Sequence, residues 1–561
     1  MSPKLTGARF IAETFKGYGL THVFFVEAIL RLSLIEMEAL GIRRVLTHGE
    51  KAAAYMADGY SKTSRKPGIC MAQSVGAANL AAGLQDAFLG LSPVIALTGR
   101  KHSLAQYRHA YQEILHAPMF NPVTKYNVTV ETIDQLPYLL RQAFREVTSG
   151  APGPAHLDLM GHQGQIIEES EADIRVVVEK PFVQCPSIRP NPDPNCVQEA
   201  ARLLVKARKP VIIAGGGTKL SSAGAAVVKL AEKLSIPVAT SLNGKGAIPE
   251  NHPLSLGIVG RYSRWCANRI VSEADLVLYI GSRTGDLVTN AWSVPQPYTP
   301  VIQIDIDPAE LGRNYPNQVG VMGDAKVTLA KLIKSVQPKP SLSKWAQHAQ
   351  KTVRKWRDDM ELFRTSNARP IRVERLCKDL TEVLPSNAIL VADTGFAGIW
   401  TGTMVDLTGP NQSYVRCAGS LGWGFPASLG AKCAAPERPV VCFTGDGGFW
   451  YHISELETAK RCGINTVIIV NNNSGLGQCL MPIKKLYGNR SGNREEMCLF
   501  SKIDFSKIAQ DMGCLGIRVE DPSDISGALR KALSAGAPVV IDVVTDVECR
   551  APDAWGGRDP V

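Results

Sequence analysis

Compact apolar runs alternate with stretches of helical periodicity along most of the chain. Ala8 to Gly19 repeats its apolar positions at helical spacing, Thr21 to Val26 is a short continuous apolar run, Leu30 to Leu40 is helical again, and Arg44 to Thr47 is a strand leading into His48-Gly49-Glu50. The same alternation continues through helix Lys51–Thr63, strand Gly68–Gln73, helix Gly76–Leu89 and strand Pro93–Thr98. Strands that are apolar at consecutive positions are covered on both faces, so this order predicts an α/β architecture with parallel sheets between helices.

The pattern restarts twice. Glu168-Glu169, Glu171 and Asp173, followed by prolines at 181, 186, 190, 192 and 194, mark a linker over about 166–190. Strand Pro210–Ala214 opens onto Gly215-Gly216-Gly217, followed by a helix through Leu234 and strands Pro237–Ser241, Leu276–Gly281 and Val301–Ile306. A charged helical stretch, Leu342 to Arg364, then leads to strands Ala388–Ala392, Pro439–Thr444, Thr466–Val470 and Val539–Val544. The expectation is three doubly wound parallel-sheet domains at 1–165, 191–335 and 368–550, with a connector at 336–367 and a polar tail at 551–561.

Composition narrows the classes. At 561 residues the chain exceeds a single core, and 45% hydrophobic with 20% charged residues is ordinary for a globular protein. A net charge of +10 favours acidic small molecules, but no dense Lys/Arg run appears, and nucleic acid is not expected as a partner. Thirteen cysteines without CxxC spacing argue against a disulfide framework or a zinc site. No stretch approaches a membrane span and no signal peptide precedes the first helix, so the expected compartment is the cytoplasm.

The chemistry concentrates late in the chain. Strand Pro439–Thr444 delivers Gly445-Asp446-Gly447-Gly448 onto a turn; after helix Glu455–Arg461, the next strand ends in Asn471-Asn472-Asn473-Ser474-Gly475. Both strand ends face one crevice. Asp446 offers a carboxylate oxygen, Asn473 an amide oxygen and Gly475 a backbone carbonyl, a hard donor set suited to Mg²⁺, while Gly447 and Gly448 let backbone N–H groups approach phosphate. Such turns also occur as plain loops. The spacing resembles the diphosphate motif of thiamine-diphosphate enzymes.

The first domain extends that resemblance. Thr47-His48-Gly49-Glu50-Lys51-Ala52-Ala53-Ala54-Tyr55-Met56-Ala57-Asp58-Gly59-Tyr60 looks like the HE-x-A-A-x-x-A-x-G-Y-A-R segment of the acetolactate synthase and benzaldehyde lyase family. Gly76-Ala77-Ala78-Asn79, Asp86-Ala87-Phe88 and Pro93 to Gly99 continue the match in order. The resemblance implies that Glu50 bonds N1′ of the cofactor's aminopyrimidine, with Gly76 and Asn79 beside it. Tyr111-Gln112-Glu113 resembles the family's FQE segment, whose glutamine faces the reactive end of the cofactor. Asp393-Thr394-Gly395 corresponds to a turn that contributes to diphosphate binding. Gly419-Ser420-Leu421-Gly422 resembles the G-S-M-G stretch, which makes Leu421 the wedge between the cofactor rings.

The central segment resembles the family's middle domain, which holds FAD in acetolactate synthases, ADP in some relatives and nothing in others; all three stand as expectations. Relatives carry Gly-Ile-Pro-Gly or Gly-Leu-His-Gly where this chain reads Phe25-Val26-Glu27-Ala28. Glu27 thus occupies a slot where some relatives place a catalytic histidine. The tryptophan that acetolactate synthases carry after the metal asparagine is replaced around Met481-Pro482-Ile483. The resemblance implies a lyase or carboligase acting on 2-oxo acids or 2-hydroxy ketones, with 2-hydroxyacyl-CoA cleavage or 2-oxo acid decarboxylation as alternatives and a catalytically degenerate scaffold as the alternative of another class. It also implies a homodimer or homotetramer whose sites join two subunits.

Overall fold

The apolar runs become the strands of three six-stranded parallel sheets in a computed structural model that describes residues 4–339 and 341–555. Met1 to Pro3 and tail residues 556–561 lie outside the described residues. In the first domain β1 (His22–Phe25), β2 (Arg43–Leu46), β3 (Gly68–Ala72), β4 (Val94–Arg100), β5 (Tyr126–Val130) and β6 (Ala155–Met160) lie in the order β2-β1-β3-β4-β6-β5. The central sheet runs β9-β8-β7-β10-β11-β12, from β7 (Pro210–Ala214), β8 (Val238–Thr240), β9 (Ser255–Ile258), β10 (Leu276–Ile280), β11 (Val301–Asp305) and β12 (Asn317–Met322). The last is β14-β13-β15-β16-β18-β17, from β13 (Ile389–Ala392), β14 (Ser413–Arg416), β15 (Val440–Gly445), β16 (Val467–Asn472), β17 (Leu515–Val519) and β18 (Val539–Val544).

The first and third domains therefore share one strand order, and in each the order reverses beside the domain's first strand. Ligands of open parallel sheets bind outside the carboxyl ends of strands at that reversal. The helices that matter for the site are α1 (Glu50–Ser64), α2 (Gly76–Leu89), α3 (Lys344–Arg364), α4 (Phe396–Met404), α5 (Gly424–Ala434), α6 (Asp446–Trp450) and α7 (Gly477–Tyr487).

Three local features differ from the sequence expectation. The helix expected to run to Leu234 is two, Gly216–Leu220 and Gly224–Leu234, because Ser222 turns to φ 55° between them. Within the expected linker, a short helix at Gln165–Glu169 and a strand at Glu171–Ala172 pack back on the first domain, where Glu168 accepts the Ser33 N–H and hydroxyl at 2.9 Å each. The tail is held where described: Asn268 Nδ2 donates to the Ala554 carbonyl at 2.9 Å. No helix among the described residues is long and apolar enough to cross a membrane, and all thirteen cysteines are free thiols.

Two contacts fix the domains against each other. Between the central and third domains, buried Arg264 bonds Asp406 at 2.6 Å, Arg357 on α3 reaches the same carboxylate at 2.9 Å, and buried Lys245 donates to the Gly402 carbonyl at 3.0 Å and the Val405 carbonyl at 2.7 Å. Burial opposes ionisation of Asp406, yet Arg264 and Arg357 hold it well below the usual carboxylate range. Between the first and third domains, α1 and α5 cross with nothing between their backbones. A Cβ on Gly59 would lie 2.0 Å from the Ala427 carbonyl oxygen, and one on Gly430 would lie 1.8 Å from that of Met56. Those two contacts ascend α1 while descending α5, so the helices are antiparallel.

Gly59→Ala should therefore force the helices apart and destabilise the protein by roughly 1–3 kcal/mol despite alanine's better helix propensity. Gly527→Ala, a helical glycine with open space around it, should instead stabilise by about 0.5–1 kcal/mol. Thermal unfolding of the two variants checks the contrast.

Candidate active site

Glu50 opens α1 directly after β2, and α2 runs beside it. A Cβ on Gly76 would sit 2.4 Å from Glu50 Oε1, so glycine at the start of α2 is what leaves room for the carboxylate. Asn79 Nδ2 donates to Glu50 Oε2 at 3.1 Å. Two residues before Gly76, the Ser74 hydroxyl donates to the Gln112 carbonyl, which draws the 107–115 loop onto the same crevice. Gln112 sits at φ 58° and its carboxamide donates to Tyr111 Oη at 3.3 Å. Glu113 shapes that loop by accepting the N–H groups of Tyr107 at 2.6 Å and Ala110 at 3.2 Å. Glu50, Gly76, Asn79 and Gln112 are thus brought together.

Glu27 is not part of that cluster. It lies exposed just beyond β1 and forms a two-pronged pair with Arg31, one contact at 3.0 Å, and the Arg31 guanidinium holds its carboxyl below the usual range. The neighbouring Ala28 takes φ 80°, a conformation that favours glycine. Of the histidines in this region, His102 caps a short turn, while His116 is buried and bonds Asp158 at 2.9 Å.

The diphosphate half is built from three loops at the carboxyl ends of β13, β15 and β16. Asp393 is buried, and burial pushes its carboxyl up to about 6. It accepts from Thr394 N at 2.7 Å, Gly422 N at 3.2 Å and Thr444 Oγ1 at 3.0 Å, so it ties loops together and its oxygens are committed. Gly448 is glycine because a Cβ there would lie 2.7 Å from that carboxylate. Thr394 and Gly395 lead into α4, and Gly395 takes φ 62°, ψ −141°, a backbone region reserved for glycine. Asp446 caps the start of α6: one oxygen accepts Gly447 N at 2.8 Å and the other Gly475 N at 2.9 Å. Burial raises its carboxyl to about 6 as well.

The three asparagines divide the work. Asn471 Oδ1 accepts from Thr545 Oγ1 at 2.7 Å, and Asn472 Nδ2 donates to buried Asp542 at 2.8 Å. Asn473 Oδ1 is buried and has no partner. An orphaned amide oxygen of this kind costs free energy unless something binds it. Beside Asp446, and with the Gly475 carbonyl not used by the bridge that Ser474 O and Leu476 N–H close against Phe500 and Cys498, the Asn473 oxygen belongs to a donor set that fits a hard cation. Among the described residues no cluster of three or more His, Cys, Asp or Glu side chains could hold a metal; a cation here would complete its shell with amide, carbonyl, water and phosphate oxygens.

Gly419, Ser420 and Leu421 precede α5, and Asp86 of α2 fixes them. Its carboxylate accepts the N–H groups of Ala418 at 2.8 Å and of Gly419 and Ser420 at 3.0 Å each. Lys62 lies 3.6 Å from Asp86 and 2.9 Å from Asp58, and Trp423 Nε1 donates to Asp58 at 2.9 Å. Sequence reasoning assigned no role to Asp58, Lys62, Asp86 or Trp423. Asp58 and Asp86 stood inside quoted motifs and Trp423 directly follows one; what was missing was the pairing across domains. The Glu50 contact at Gly76 and the Asp86 contact to this loop are about 15 Å apart along α2, at the α-helical rise. No hydrogen bond among the described residues joins Glu50 to Leu421, Asp446 or Asn473.

Comparison with known proteins agrees with this layout. The thiamine pyrophosphate enzyme N-terminal TPP binding domain matches residues 5–119, the central domain 197–332 and the C-terminal TPP binding domain 393–543. A probable acetolactate synthase large subunit of Methanocaldococcus jannaschii is 35% identical over 515 residues, covering 90% of this chain and 85% of that one. The acetolactate synthase large subunit of Haemophilus influenzae and the isozyme 1 large subunit of Escherichia coli are each 30% identical, over 559 and 563 residues, covering 97% of this chain and 95% of theirs.

Replacing Asn472 by alanine strands part of the buried Asp542 carboxylate and should cost about 1–3 kcal/mol. Asn473→Ala removes an oxygen that bonds nothing, and should leave the ligand-free protein within about 0.5 kcal/mol of the parent. Thermal unfolding without added metal or cofactor distinguishes them. In the same assay Ala28→Gly should gain about 1 kcal/mol by relieving the positive φ.

Proposed function

Because the chain belongs to the thiamine-diphosphate-dependent acetolactate synthase family, we propose that it joins 2-oxo acids by carbon–carbon bond formation at a site shared between two copies of itself. The observation that carries the reading is the partnerless Asn473 oxygen beside Asp446, together with the Glu50 cluster at the amino ends of α1 and α2. Bound thiamine diphosphate supplies a carbon nucleophile and an electron sink for the bond being made.

The protein's part is to bind, orient and hold protons. Asp446, Asn473 and the Gly475 carbonyl hold Mg²⁺; Thr394, Gly395, Gly419, Ser420, Gly447 and Gly448 line the diphosphate, with Asp393 fixing their loops from behind. Leu421, in the loop before α5, would pack against thiamine diphosphate. Glu50 holds a proton at N1′ of the aminopyrimidine, and Asn79 steadies its carboxylate. Gln112 borders the reactive end. Glu27, exposed and paired with Arg31, stays outside the chemistry.

The Glu50 contact and the Asp86 contact to the Ala418–Ser420 loop lie at opposite ends of α2, which supports a site in which Glu50 of one chain would serve the diphosphate loops of another. The smallest competent unit is then a C2 dimer with two equivalent sites, compatible with a tetramer. A cleft of about 920 Å³ includes the central strand ends, where Gly216, Gly217, Gly281, Arg283 and buried Asp305 face it. The carboxylate at the end of β11 and the glycines at the sheet reversal support an adenine nucleotide there, FAD or ADP. Thirteen free thiols support a reducing compartment, the cytoplasm.

Glu50→Gln should fold and bind thiamine diphosphate as the parent does, while proton exchange at cofactor C2, followed by NMR, slows by about 10²–10⁴-fold. Exchange at the parental rate would remove Glu50 from the chemistry. Stripping divalent cations with EDTA should abolish cofactor binding, and Mg²⁺ should restore it; retention of the cofactor in EDTA would contradict the cation's role.

A further inference from the structure

The segment that carries Gln112 has little to hold it in place. Residues 101–116 join β4 to a short helix at Ala117–Phe120, and Tyr107, His109 and Gln112 all sit at positive φ, at 62°, 55° and 58°. Side chains of L residues disfavour that region, and such a backbone persists only where its surroundings impose it. Apolar burial within the chain does not impose it, because Leu104, Tyr107, Tyr111, Ile114 and Leu115 are exposed. Glu113 braces the loop only from within. Among the described residues, three side-chain hydrogen bonds tie the loop to the rest of the chain: Ser103 to Glu131 at 3.4 Å, Ser74 to the Gln112 carbonyl, and His116 to Asp158 at 2.9 Å.

The His116 bond is of another kind. His116 is the only buried side chain from residue 101 to residue 116, and its partner opens a closed circuit of hydrogen bonds. Asp158, on β6, accepts from Thr98 Oγ1 of β4 at 2.8 Å, and that hydroxyl lies 2.6 Å from His156 Nε2. His156 Nδ1–H donates to Asn127 Oδ1 of β5 at 2.8 Å, and Asn127 Nδ2 donates at 2.9 Å to the carbonyl of Ala117, the residue after His116. His156 also stacks on Phe120 with ring centres 3.6 Å apart. Three neighbouring strands thus hold His116 and the turn behind it away from water, where a hydrogen bond is stronger than at an exposed contact such as that of Ser103.

Resting on the reading above, in which Gln112 borders the reactive end, we propose that His116 is a positioning residue: its bond to Asp158 latches the 101–116 loop onto the first sheet and so sets where Gln112 stands. His116 acts only through the loop. With the latch open, the residues at positive φ are free to relax and Gln112 leaves its place; a displacement of about 1 Å near a reacting centre costs up to about 10²-fold in rate. The groups that hold the cofactor, Asp446 and Asn473, stand on other loops, and Glu50 stands on α1, so cofactor binding and the proton at N1′ do not depend on the latch.

The test uses the full chain loaded with thiamine diphosphate and Mg²⁺. The parent is compared with His116→Asn, which keeps an N–H donor close to the position of Nδ1, and with His116→Phe and His116→Leu, two apolar variants so that misfolding of one leaves the other. Amide hydrogen exchange over residues 101–116, read by mass spectrometry, should quicken about 10-fold in the apolar variants and stay near parental in His116→Asn. With pyruvate as the 2-oxo acid, kcat/KM should fall about 10–100-fold in the apolar variants and recover in His116→Asn, while proton exchange at cofactor C2 keeps the parental rate. In a Gln112→Ala background the apolar variants should cost nothing further, since a residue that acts through Gln112 has nothing left to position. Parental loop exchange in the apolar variants would overturn the latch, and an equal loss of turnover with and without Gln112 would overturn its action through that residue. A loop that loosens in a protein without turnover of 2-oxo acids would instead overturn the catalytic reading and leave the latch standing.

Discussion

The antiparallel contact of α1 with α5 is the constraint on which the site's architecture rests. Gly59 and Gly430 allow the backbones to touch, and no side chain larger than hydrogen fits at either point. The touching helices hold the first and third domains of one chain rigidly together. They also send the amino ends of α1 and α5, where Glu50 and Leu421 stand, in opposite directions. Close packing inside the chain thus sets the Glu50 cluster and the Leu421 loop at opposite ends of the helix pair, and the shared site proposed above rests on that separation.

Buried carboxylates do the local positioning. Asp393 and Asp542 each satisfy several donors from different loops, Asp86 satisfies three successive N–H groups of one loop, and a charge taken out of water is tolerable only when it is hydrogen-bonded in this way. Because those acids are committed, they leave a small remainder: the Asn473 oxygen, the Gly475 carbonyl and the glycine N–H groups of the turns. On the proposed reading, those are the groups left to meet the cofactor's charged end.

Much of this was legible in the sequence because parallel strands buried on both faces are nearly continuous apolar runs. Pro210–Ala214, Val539–Val544 and Gly76–Leu89 were read at the observed bounds, and other elements fell within a residue or two. Gly445 to Gly475 stood out as short polar motifs at strand ends, and the structure brings Asp446 to the Gly475 N–H as that spacing suggested. The rest depended on pairings that spacing does not encode. Asp86 meets Ala418 to Ser420 across more than three hundred residues, and Glu27, placed in a catalytic slot by resemblance, is neutralised by Arg31 one helical turn away. Ser222 breaks a helix that apolar periodicity alone would continue. The separation of Glu50 from Leu421 needed the helix crossing itself, which no single stretch of sequence reveals.

The measurement that bears most directly on the shared site is subunit complementation. Glu50→Gln and Asp446→Asn chains, each inactive alone, are mixed, dissociated and reassembled in equal amounts. If Glu50 of one chain works with Asp446 of the other, every mixed dimer contains one intact site, and the population recovers about a quarter of parental activity. No recovery after verified exchange would mean that each chain builds its site alone, and the account would fail.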